Sequence, residues 1–504
     1  MTFKREWQEI KNFVTKNKFL IGYTYLLIVL CYGAKLIFYN FSVDTEEFIM
    51  LSPVNQFVQW AQMGRYGLYY FKKIFTGYHI NPYLINFGTY FMLGLMTNYL
   101  CFIFYRIYQK KKGLLIIPSL FVTSAILLEQ YNFILQSFEV VTANFLVVIS
   151  VFMVHLFTHY KKSYFLLFSV ILGIIGFSVY PSNYILFILL TIAILIAKIN
   201  QSENKLSWQQ LAAKITPFLL TFLITYLGNQ LAYNATMKAL DVKKINYIGA
   251  SIPWGNTSVG KIFGRIGKTL TTIYSGNQSI FFSYAVPIAI LLGVAAVFLS
   301  KNNRGSLAFL YVSLFLAMNL EFFLLGSIGP IRALAPFFPL GVAFIYYFAY
   351  RNFSNKYLRM SLALAICLIT FNQGKITANF AIQEHQIYKA QQDFTKDLLS
   401  AIHDEGVDDL YYYKLAVYGN KNFAKTTGDV LGHSFYDWDT NSAVQSSYRI
   451  SNFFEMMDNP QQRIPFKDYL SVFAQLEEMP IFPAEGSVKV QDDIILIKLS
   501  EKPK

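Results

Sequence analysis

The chain has 504 residues, of which 55% are hydrophobic, 18% are aromatic and only 14% are charged. A soluble protein carries about 25% charged residues, so this composition excludes an ordinary soluble enzyme and indicates a polytopic membrane protein. The formal net charge is +14, but many lysines and arginines occur in short clusters between apolar segments. That distribution is typical of membrane orientation and not of nucleic-acid binding.

Apolar segments recur up to about residue 373, and we predict about eleven α-helices of roughly the 20 residues that a bilayer requires. Their approximate bounds are Phe19–Tyr39, Pro82–Tyr105, Leu114–Leu128, Val140–Phe157, Tyr164–Val179, Tyr184–Ile199, Ile215–Tyr233, Ile280–Leu299, Leu307–Leu325, Ala333–Tyr350 and Leu358–Phe371. If these helices alternate, the basic clusters of the short connections fall on one side, as the positive-inside rule requires. We therefore predict a multi-pass protein of the cell membrane with a cytoplasmic N-terminus. The loops 40–81 and 235–279, and the chain after about Gln373, are predicted to be extracytoplasmic.

The first external loop brings three carboxylates, Asp44, Glu46 and Glu47, close to the end of the first predicted membrane helix. Acidic side chains at a membrane boundary are costly unless they are solvated, paired or used in chemistry. Ser52 and Pro53 predict the start of a helix whose apolar stripe lies along the membrane surface. The alternative interpretation is a solvated loop whose acids have no role.

An acidic motif at the start of the first external loop, followed by surface helices, resembles the GT-C class of membrane glycosyltransferases. Four short motifs together resemble the GtrII-type glucosyltransferases within that class. These motifs are Ser42-Val-Asp44, Gly64-Arg65-Tyr66, Tyr180-Pro-Ser-Asn and Gly329-Pro-Ile-Arg332. The resemblance implies a GT-C-like fold, a polyprenyl-phosphate sugar donor, with glucose as the usual sugar, and a bacterial surface polysaccharide or glycolipid as acceptor.

The acidic motif departs from the family pattern at one point. The family usually has adjacent acids after the serine, whereas here Val43 precedes Asp44 and Thr45 separates Asp44 from Glu46. An inverting transfer needs one carboxylate to take the proton of the acceptor hydroxyl. We predict that Asp44 is this base, with Glu46 or Glu47 as the alternative.

The same reaction needs cations that hold the departing phosphate. Arg65 and Arg332 are the predicted phosphate ligands, because a guanidinium matches two phosphate oxygens at once. Lys375 is a third candidate for this role. For Arg332 the alternative interpretation is an interfacial anchor.

Five further residues are candidates for lining a substrate cavity. Glu321 is the deepest acid in a predicted membrane helix, and we expect it to face an outward-opening sugar cavity or to pair with a cation such as Lys375. The other candidates are Glu129, Tyr66, His79 and Tyr180. A lone histidine at an interface is more often simply packed or solvated, which is the alternative for His79.

The second large external loop contains a basic amphipathic helix. Lys261, Arg265 and Lys268 fall on one helical face, while isoleucine and leucine side chains occupy another. Such a helix suits anionic lipid headgroups in general, with a lipid pyrophosphate as the more specific alternative.

The histidines and cysteines have no metal-ligand spacing, so we predict neither a metal site nor a cofactor. A divalent metal at the acid cluster is the alternative, which we do not favour.

The sequence predicts two domains, a GT-C-like transmembrane domain at 1–373 and a small extracytoplasmic α/β domain at 374–504. In the second domain we predict a helix over Thr377–His403, a strand over Asp409–Val417 and a C-terminal hairpin of Ser487–Val490 with Ile494–Leu499. We expect this domain to cover the active site and contact the acceptor.

The predicted function is transfer of a sugar from a polyprenyl-phosphate donor to a polysaccharide or glycolipid on the outer face of the membrane. A transporter or flippase of lipid-linked sugars is the first alternative, but transporters place ionisable residues near the bilayer midplane within repeated halves. A polysaccharide ligase or polymerase is the second alternative, and the basic helix around Lys261 is the feature that favours it.

Overall fold

The structure is a computed structural model of the chain and describes residues 2–50, 53–76, 80–202, 204–246, 249, 252–275, 279–281, 285–300, 303–327, 329–426, 428–438 and 443–501. The chain forms two compact units. The first unit contains residues 1–37, 57–131 and 136–381, and the second contains residues 38–56, 132–135 and 382–504.

The described residues are mostly α-helical. In chain order the helices are α1 (Thr2–Lys16), α2 (Lys18–Ile37), α3 (Thr45–Met50), α4 (Pro53–Gln62), α5 (Tyr66–Phe71), α6 (Pro82–Tyr108), α7 (Ile116–Phe121), α8 (Ala125–Tyr131), α9 (Ser137–Tyr160), α10 (Tyr164–Val179), α11 (Asn183–Asn200), α12 (Trp208–Ala239), α13 (Val259–Tyr274), α14 (Ala285–Leu299), α15 (Arg304–Met318), α16 (Leu320–Leu325), α17 (Phe338–Asn352), α18 (Lys356–Asp404), α19 (Ala443–Met456) and α20 (Phe466–Glu478). A π-helical turn covers Lys72–Thr76, and 3₁₀ turns cover Ser279–Phe281, Ile331–Leu334 and Leu410–Tyr412. The strands are β1 (Lys414–Tyr418), β2 (Val488–Gln491) and β3 (Ile494–Lys498).

Within the described part of the chain, seven helical segments are long and apolar enough to cross a membrane by length and composition. They are Lys18–Ile37, Pro82–Tyr108, Ser137–Tyr160, Asn183–Asn200, Trp208–Ala239, Ile331–Asn352 and Lys356–Asp404, and three shorter apolar helices are Tyr164–Val179, Ala285–Leu299 and Arg304–Met318. These ten segments overlap ten of the predicted membrane helices. The predicted helix Leu307–Leu325 is interrupted at Asn319, between α15 and α16. The amide of Asn319 donates there to the carbonyl of Phe315 and to the hydroxyl of Tyr274. The chain is thus a polytopic helical protein, while the number of eleven crossings stays a prediction.

The eleventh predicted helix, Leu114–Leu128, is not continuous. It consists of the short helices α7 and α8, separated at residues 122–124. Side chains from other helices satisfy the carbonyl groups that this break leaves without helical partners. The hydroxyl of Tyr32 donates to the carbonyl of Val122 at 2.8 Å, and that of Thr377 donates to the carbonyl of Thr123 at 2.7 Å. Irregular backbone is stable in an apolar region only when it is buried and hydrogen-bonded in this way.

In the first unit, small residues on α10 allow close helix packing. A Cβ atom at Gly176 would lie 2.5 Å from the side chain of Val147 and 3.1 Å from the carbonyl of Ala143, both on α9. A Cβ atom at Gly173 would lie 2.7 Å from Thr225 of α12. Membrane-type helices associate through such close backbone contacts, because the lipid offers no hydrophobic driving force between them.

The second unit is built around a three-stranded sheet with the order β1-β3-β2. Strand β1 pairs with β3 in parallel and β2 pairs with β3 antiparallel. Alternate residues of β1 enter different cores: Leu415 and Val417 pack with apolar residues of α18 and α19, whereas Ala416 and Tyr418 pack with those of α20. Strands β1 and β3 are therefore buried on both faces, as the almost continuous apolar sequence of β3 indicates, whereas the edge strand β2 is partly exposed.

The C-terminal elements agree with the predicted hairpin and helix. The predicted strand Asp409–Val417 begins later, at Lys414, because Leu410–Tyr412 forms a 3₁₀ turn that the Asp409 carboxylate caps through the backbone N–H of Tyr411. The predicted domain boundary at 373/374 falls inside the continuous helix α18.

Candidate active site

The acid-bearing loop of the second unit turns sharply just before α3. The backbone N–H of Thr45 donates to the carbonyl of Ser42 at 3.2 Å, and Val43 between them is buried against Phe133. Asp44 adopts a left-handed backbone conformation with a φ of 70°. Such a conformation costs a residue other than glycine roughly 1–3 kcal/mol, and it persists only where surrounding contacts fix it.

Arg449 of α19 contacts all three acids of this loop. Its Nη1 donates a short hydrogen bond to Oε1 of Glu46, and its Nη2 donates to Oδ1 of Asp44 at 3.0 Å. The same Nη2 lies 3.6 Å from Oε1 of Glu47. The indole Nε1 of Trp438 also donates to Oδ1 of Asp44 at 3.0 Å. The acid cluster is therefore organised around a guanidinium from a distant part of the sequence.

The three carboxylates differ in their access to solvent. The side chains of Asp44 and Glu47 are 39% and 32% exposed, whereas that of Glu46 is fully buried. Burial raises the pKa of Glu46 to about 8, and the neighbouring Arg449 limits that rise. Glu46 is thus suited to anchor the guanidinium, while Asp44 and Glu47 can reach a substrate.

Helix α19 positions Arg449 because this arginine lies on the buried face of the helix. Ser446, Arg449, Ile450 and Phe453 follow the i, i+3, i+4, i+7 spacing of one helical face, and all four are buried. The helix packs against β1 and α3. A single cation among small or apolar residues on one helical face is a sequence signal that indicates Arg449. We did not predict this residue or Trp438.

In the first unit, Arg65 lies between two partners. Its guanidinium carbon is 5.0 Å from the ring centroid of Tyr180, and its Nη1 donates to Oε1 of Gln136 at 3.1 Å. Tyr180 is buried in an apolar cluster with Leu68 and Val179, and Ala333 packs against the same cluster. The structure therefore brings together three predicted motifs of this unit, those of Arg65, of Tyr180 and of the 3₁₀ turn that contains Arg332.

Two of the predicted acids border this 3₁₀ turn. Helix α8, which carries the fully buried Glu129, packs against the turn Ile331–Leu334. Glu321 is also buried, and its Oε1 would lie only 2.6 Å from a Cβ atom at Gly329. A side chain at position 329 would require the Glu321 carboxyl group to move.

A buried ion pair that we did not predict lies in the same unit. Nζ of Lys72, in the π-helical turn, is 2.6 Å from Oε1 of Glu139 near the N-terminus of α9, and both side chains are almost fully buried. The helix dipole stabilises a carboxylate at this end of a helix. Short π-helical segments often occur at functional sites.

The other predicted residues have varied environments. Tyr66 is buried, and its hydroxyl donates to Oδ1 of Asn229 at 2.7 Å. Lys375 is exposed on α18, and the basic residues Lys261, Arg265 and Lys268 are exposed on α13. Ile262 and Ile266 of α13 are buried, so this helix is amphipathic as predicted. His79 and Ser52 lie outside the described residues.

Among the described residues, no group of three His, Cys, Asp or Glu side chains is placed to hold a metal ion. The expectation of a reaction without a metal stays a prediction.

The apolar helices and the accessible carboxylates fit the class of membrane-embedded glycosyltransferases. A family model described as "Glucosyl transferase GtrII" matches residues 33–370, which is more than half of the chain. The chain belongs to this family of glucosyl transferases, whose activity is the transfer of a glucosyl group. No curated protein matches the chain. No solved structure matches it either.

Proposed function

We propose that the chain transfers glucose from a polyprenyl-phosphate donor to a polysaccharide or glycolipid at the outer face of the cell membrane, with inversion at the anomeric carbon. The family supports glucosyl transfer, and the long apolar helices are compatible with a lipid-borne donor. The resemblance to the GT-C class supports the fold and the outward orientation, with the N-terminus in the cytoplasm.

In the proposed reaction, the acceptor hydroxyl oxygen forms a bond to the anomeric carbon of glucose. The bond between that carbon and the phosphate oxygen breaks, and polyprenyl phosphate leaves with the bonding electrons. Asp44 takes the hydroxyl proton as the new bond forms. General base catalysis of this kind contributes about 10²–10⁴-fold to a rate.

The three acids differ in exposure and in hydrogen bonding, and this difference is the observation that supports Asp44 as the base. Asp44 is the most exposed of the three and is held by two hydrogen-bond donors at one oxygen, whereas Glu46 is fully buried in contact with Arg449. A base must be accessible to its substrate and fixed in orientation, and Asp44 meets both requirements. Glu47 remains the alternative base.

Arg65 and Arg332 are the proposed ligands of the donor phosphate. Arg65 lies over the ring of Tyr180 and is only partly buried, so it can present its guanidinium to an anion while its orientation stays fixed. The packing of the turn around Arg332 against the Tyr180 cluster supports a shared role for the two arginines. With two arginines to hold the phosphate, we propose that no divalent metal is required, and that EDTA leaves the rate within about twofold.

The test uses the full chain in lipid nanodiscs with radiolabelled polyprenyl-phosphate glucose and a purified cell-wall polysaccharide. The wild-type protein should move label to the polysaccharide, and Asp44→Asn should lower the rate by about 10²–10⁴-fold, because an amide cannot take the proton. Glu478→Gln, at an exposed position of α20, is the matched control and should keep the rate. If label moves equally fast with Asp44→Asn, the base is a different residue. If neither the wild-type protein nor the control variant moves label, the donor or the acceptor is of another kind.

A further inference from the structure

The guanidinium of Arg449 connects the buried acid of the cluster to the accessible one. Its two terminal nitrogens bond different carboxylates: Nη1 donates to Glu46 and Nη2 donates to Asp44. The Arg449 side chain is only 3% exposed. Because it is planar and held at Glu46, its second nitrogen has a defined direction toward Asp44.

Trp438 adds a second constraint at the same oxygen. Its Nε1 and the Nη2 of Arg449 both donate to Oδ1 of Asp44 at 3.0 Å, and neither bond falls on Oδ2. Asp44 also has a left-handed backbone, a conformation that persists only where surrounding contacts fix it. Among the described residues, both donors bond Oδ1, so the second oxygen of Asp44 is available to a substrate hydroxyl.

A purely structural link between the loop and α19 would be the simpler interpretation. The bond between Arg449 and Glu46 alone is enough for such a link, since both side chains are buried. It does not explain why a strained and 39% exposed aspartate is held by two donors at a single oxygen. Strain that is maintained by converging contacts is typical of functional positions.

We propose that Arg449 is a positioning residue for the catalytic base, with Glu46 as its buried anchor and Trp438 as its partner at Oδ1 of Asp44. This inference rests on the proposed function, in which Asp44 is the base. Arg449 and Trp438 lie beyond residues 33–370, so the family match does not cover the residues that orient the base. It follows that the C-terminal sequence is required for catalysis and is not an optional addition.

Several charged and aromatic groups surround Asp44. Glu46 and Glu47 face it from α3 and Arg449 from α19. His433 packs against the ring of Trp438 at 4.9 Å between ring centroids. Asp437, next to Trp438, lies 3.6 Å from His433.

Arg449 fixes the direction of Oδ1 of Asp44, so its loss should leave the base poorly oriented toward the acceptor hydroxyl. An interaction that acts only on the chemical step should lower kcat while the KM for the donor stays the same.

The test measures kcat and the KM for polyprenyl-phosphate glucose with the full chain in nanodiscs. Arg449→Gln should lower kcat about tenfold or more, while the donor KM stays within twofold. Arg449→Lys should recover only part of this kcat, because an ammonium keeps the charge and loses the planar geometry. Trp438→Phe should also lower kcat without changing the donor KM. Arg463→Gln, an arginine of the same unit that stacks on Tyr448, is the matched control and should change neither.

The outcomes separate this inference from the function on which it rests. If Asp44→Asn keeps its activity, the proposed base is wrong. If Asp44→Asn is inactive but Arg449→Gln keeps the wild-type kcat, or changes only the donor KM, the positioning role is overturned. If Arg449→Gln does not fold, Arg449→Lys and Trp438→Phe provide the test. A wild-type kcat in both of these variants would overturn the positioning role.

Discussion

Arg449 donates from Nη2 to Oδ1 of Asp44 at 3.0 Å, although the two residues are 405 positions apart in the chain. This bond places a residue of the C-terminal sequence at the acid motif that the N-terminal part of the chain provides. The charge environment of the three acids therefore depends on α19, a helix that is far from them in the sequence. The predictions below concern this cluster and the buried and charged residues of the first unit.

The stability of the protein should depend on pH through Glu46. Burial raises the pKa of this group from an ordinary 4.5 to about 8 in the folded protein. Between these values the folded state keeps a proton that the unfolded state has lost, so stability should fall as pH rises from about 4.5 to about 8. Glu46→Gln cannot titrate and should lack this decline. Melting temperatures in detergent at pH 5, 6.5 and 8 measure the difference, with Glu478→Gln as the exposed control. Parallel pH curves for wild type and Glu46→Gln would contradict the raised pKa.

Substitution of Arg65 should weaken binding of the donor. Arg65→Ala should raise the KM for polyprenyl-phosphate glucose by about tenfold to a hundredfold, because a charge-assisted hydrogen bond contributes roughly 1.5–3 kcal/mol. Arg65→Lys should recover only part of this loss, since an ammonium cannot stack on Tyr180 and bind two phosphate oxygens at once. Initial rates over a range of donor concentrations give both constants. The exposed Arg304 offers a control, and Arg304→Ala should leave the KM unchanged. An unaltered KM in Arg65→Ala would remove the phosphate role.

A side chain at position 329 should destabilise the first unit. The added Cβ atom of Gly329→Ala would lie 2.5 Å from the Leu325 side chain and 2.6 Å from the Glu321 carboxyl oxygen. Both atoms are the ends of flexible side chains that can shift, so the cost should be at the low end of the range for overpacking, about 1 kcal/mol. Gly264→Ala in α13 is the matched control, because no atom lies within 4 Å of its added Cβ. A helical alanine there should be neutral or stabilising by up to about 1 kcal/mol. Chemical denaturation in mixed micelles compares the two variants, and equal stability would show that the turn at residue 329 adjusts freely.

The buried pair of Lys72 and Glu139 should make single substitutions costly. Glu139→Gln removes the carboxylate that lies 2.6 Å from the Lys72 ammonium and should destabilise the protein by about 3–5 kcal/mol. The double variant Lys72→Met/Glu139→Leu should recover most of this loss, because an apolar pair of similar volume needs no charge compensation. The free energies of unfolding of the single and double variants form the test. A double variant that is less stable than Glu139→Gln would show that the charges have a further partner to satisfy.

The membrane helices could be predicted closely because their signal is local. Segment Tyr164–Val179 has the same bounds in the sequence prediction and in α10, since a run of apolar residues between polar ends leaves few alternatives. The break at residues 122–124 could not be predicted in this way. It depends on hydroxyl groups of Tyr32 and Thr377, which come from distant helices.

The candidate site divides in a similar way. The sequence identified Asp44 and Arg65 through short motifs, but it did not identify Arg449, Trp438 or the pair of Lys72 with Glu139. Each of these is a charged or aromatic residue within an ordinary helix or loop, and its role depends on the partner that folding brings to it. A local pattern can mark such a residue, but it does not encode a contact with a partner that lies tens to hundreds of residues away.

The sequence by itself determined the class of the protein, the positions of most helices and the three acids that follow the first long apolar helix, because hydrophobicity and helical periodicity act over a few turns. Only the tertiary structure decided how these acids differ. It buries Glu46 against Arg449 and leaves Asp44 accessible with one oxygen held by two donors. Burial and hydrogen bonding are properties of the packed chain, and they distinguish carboxylates that have the same chemistry in the sequence.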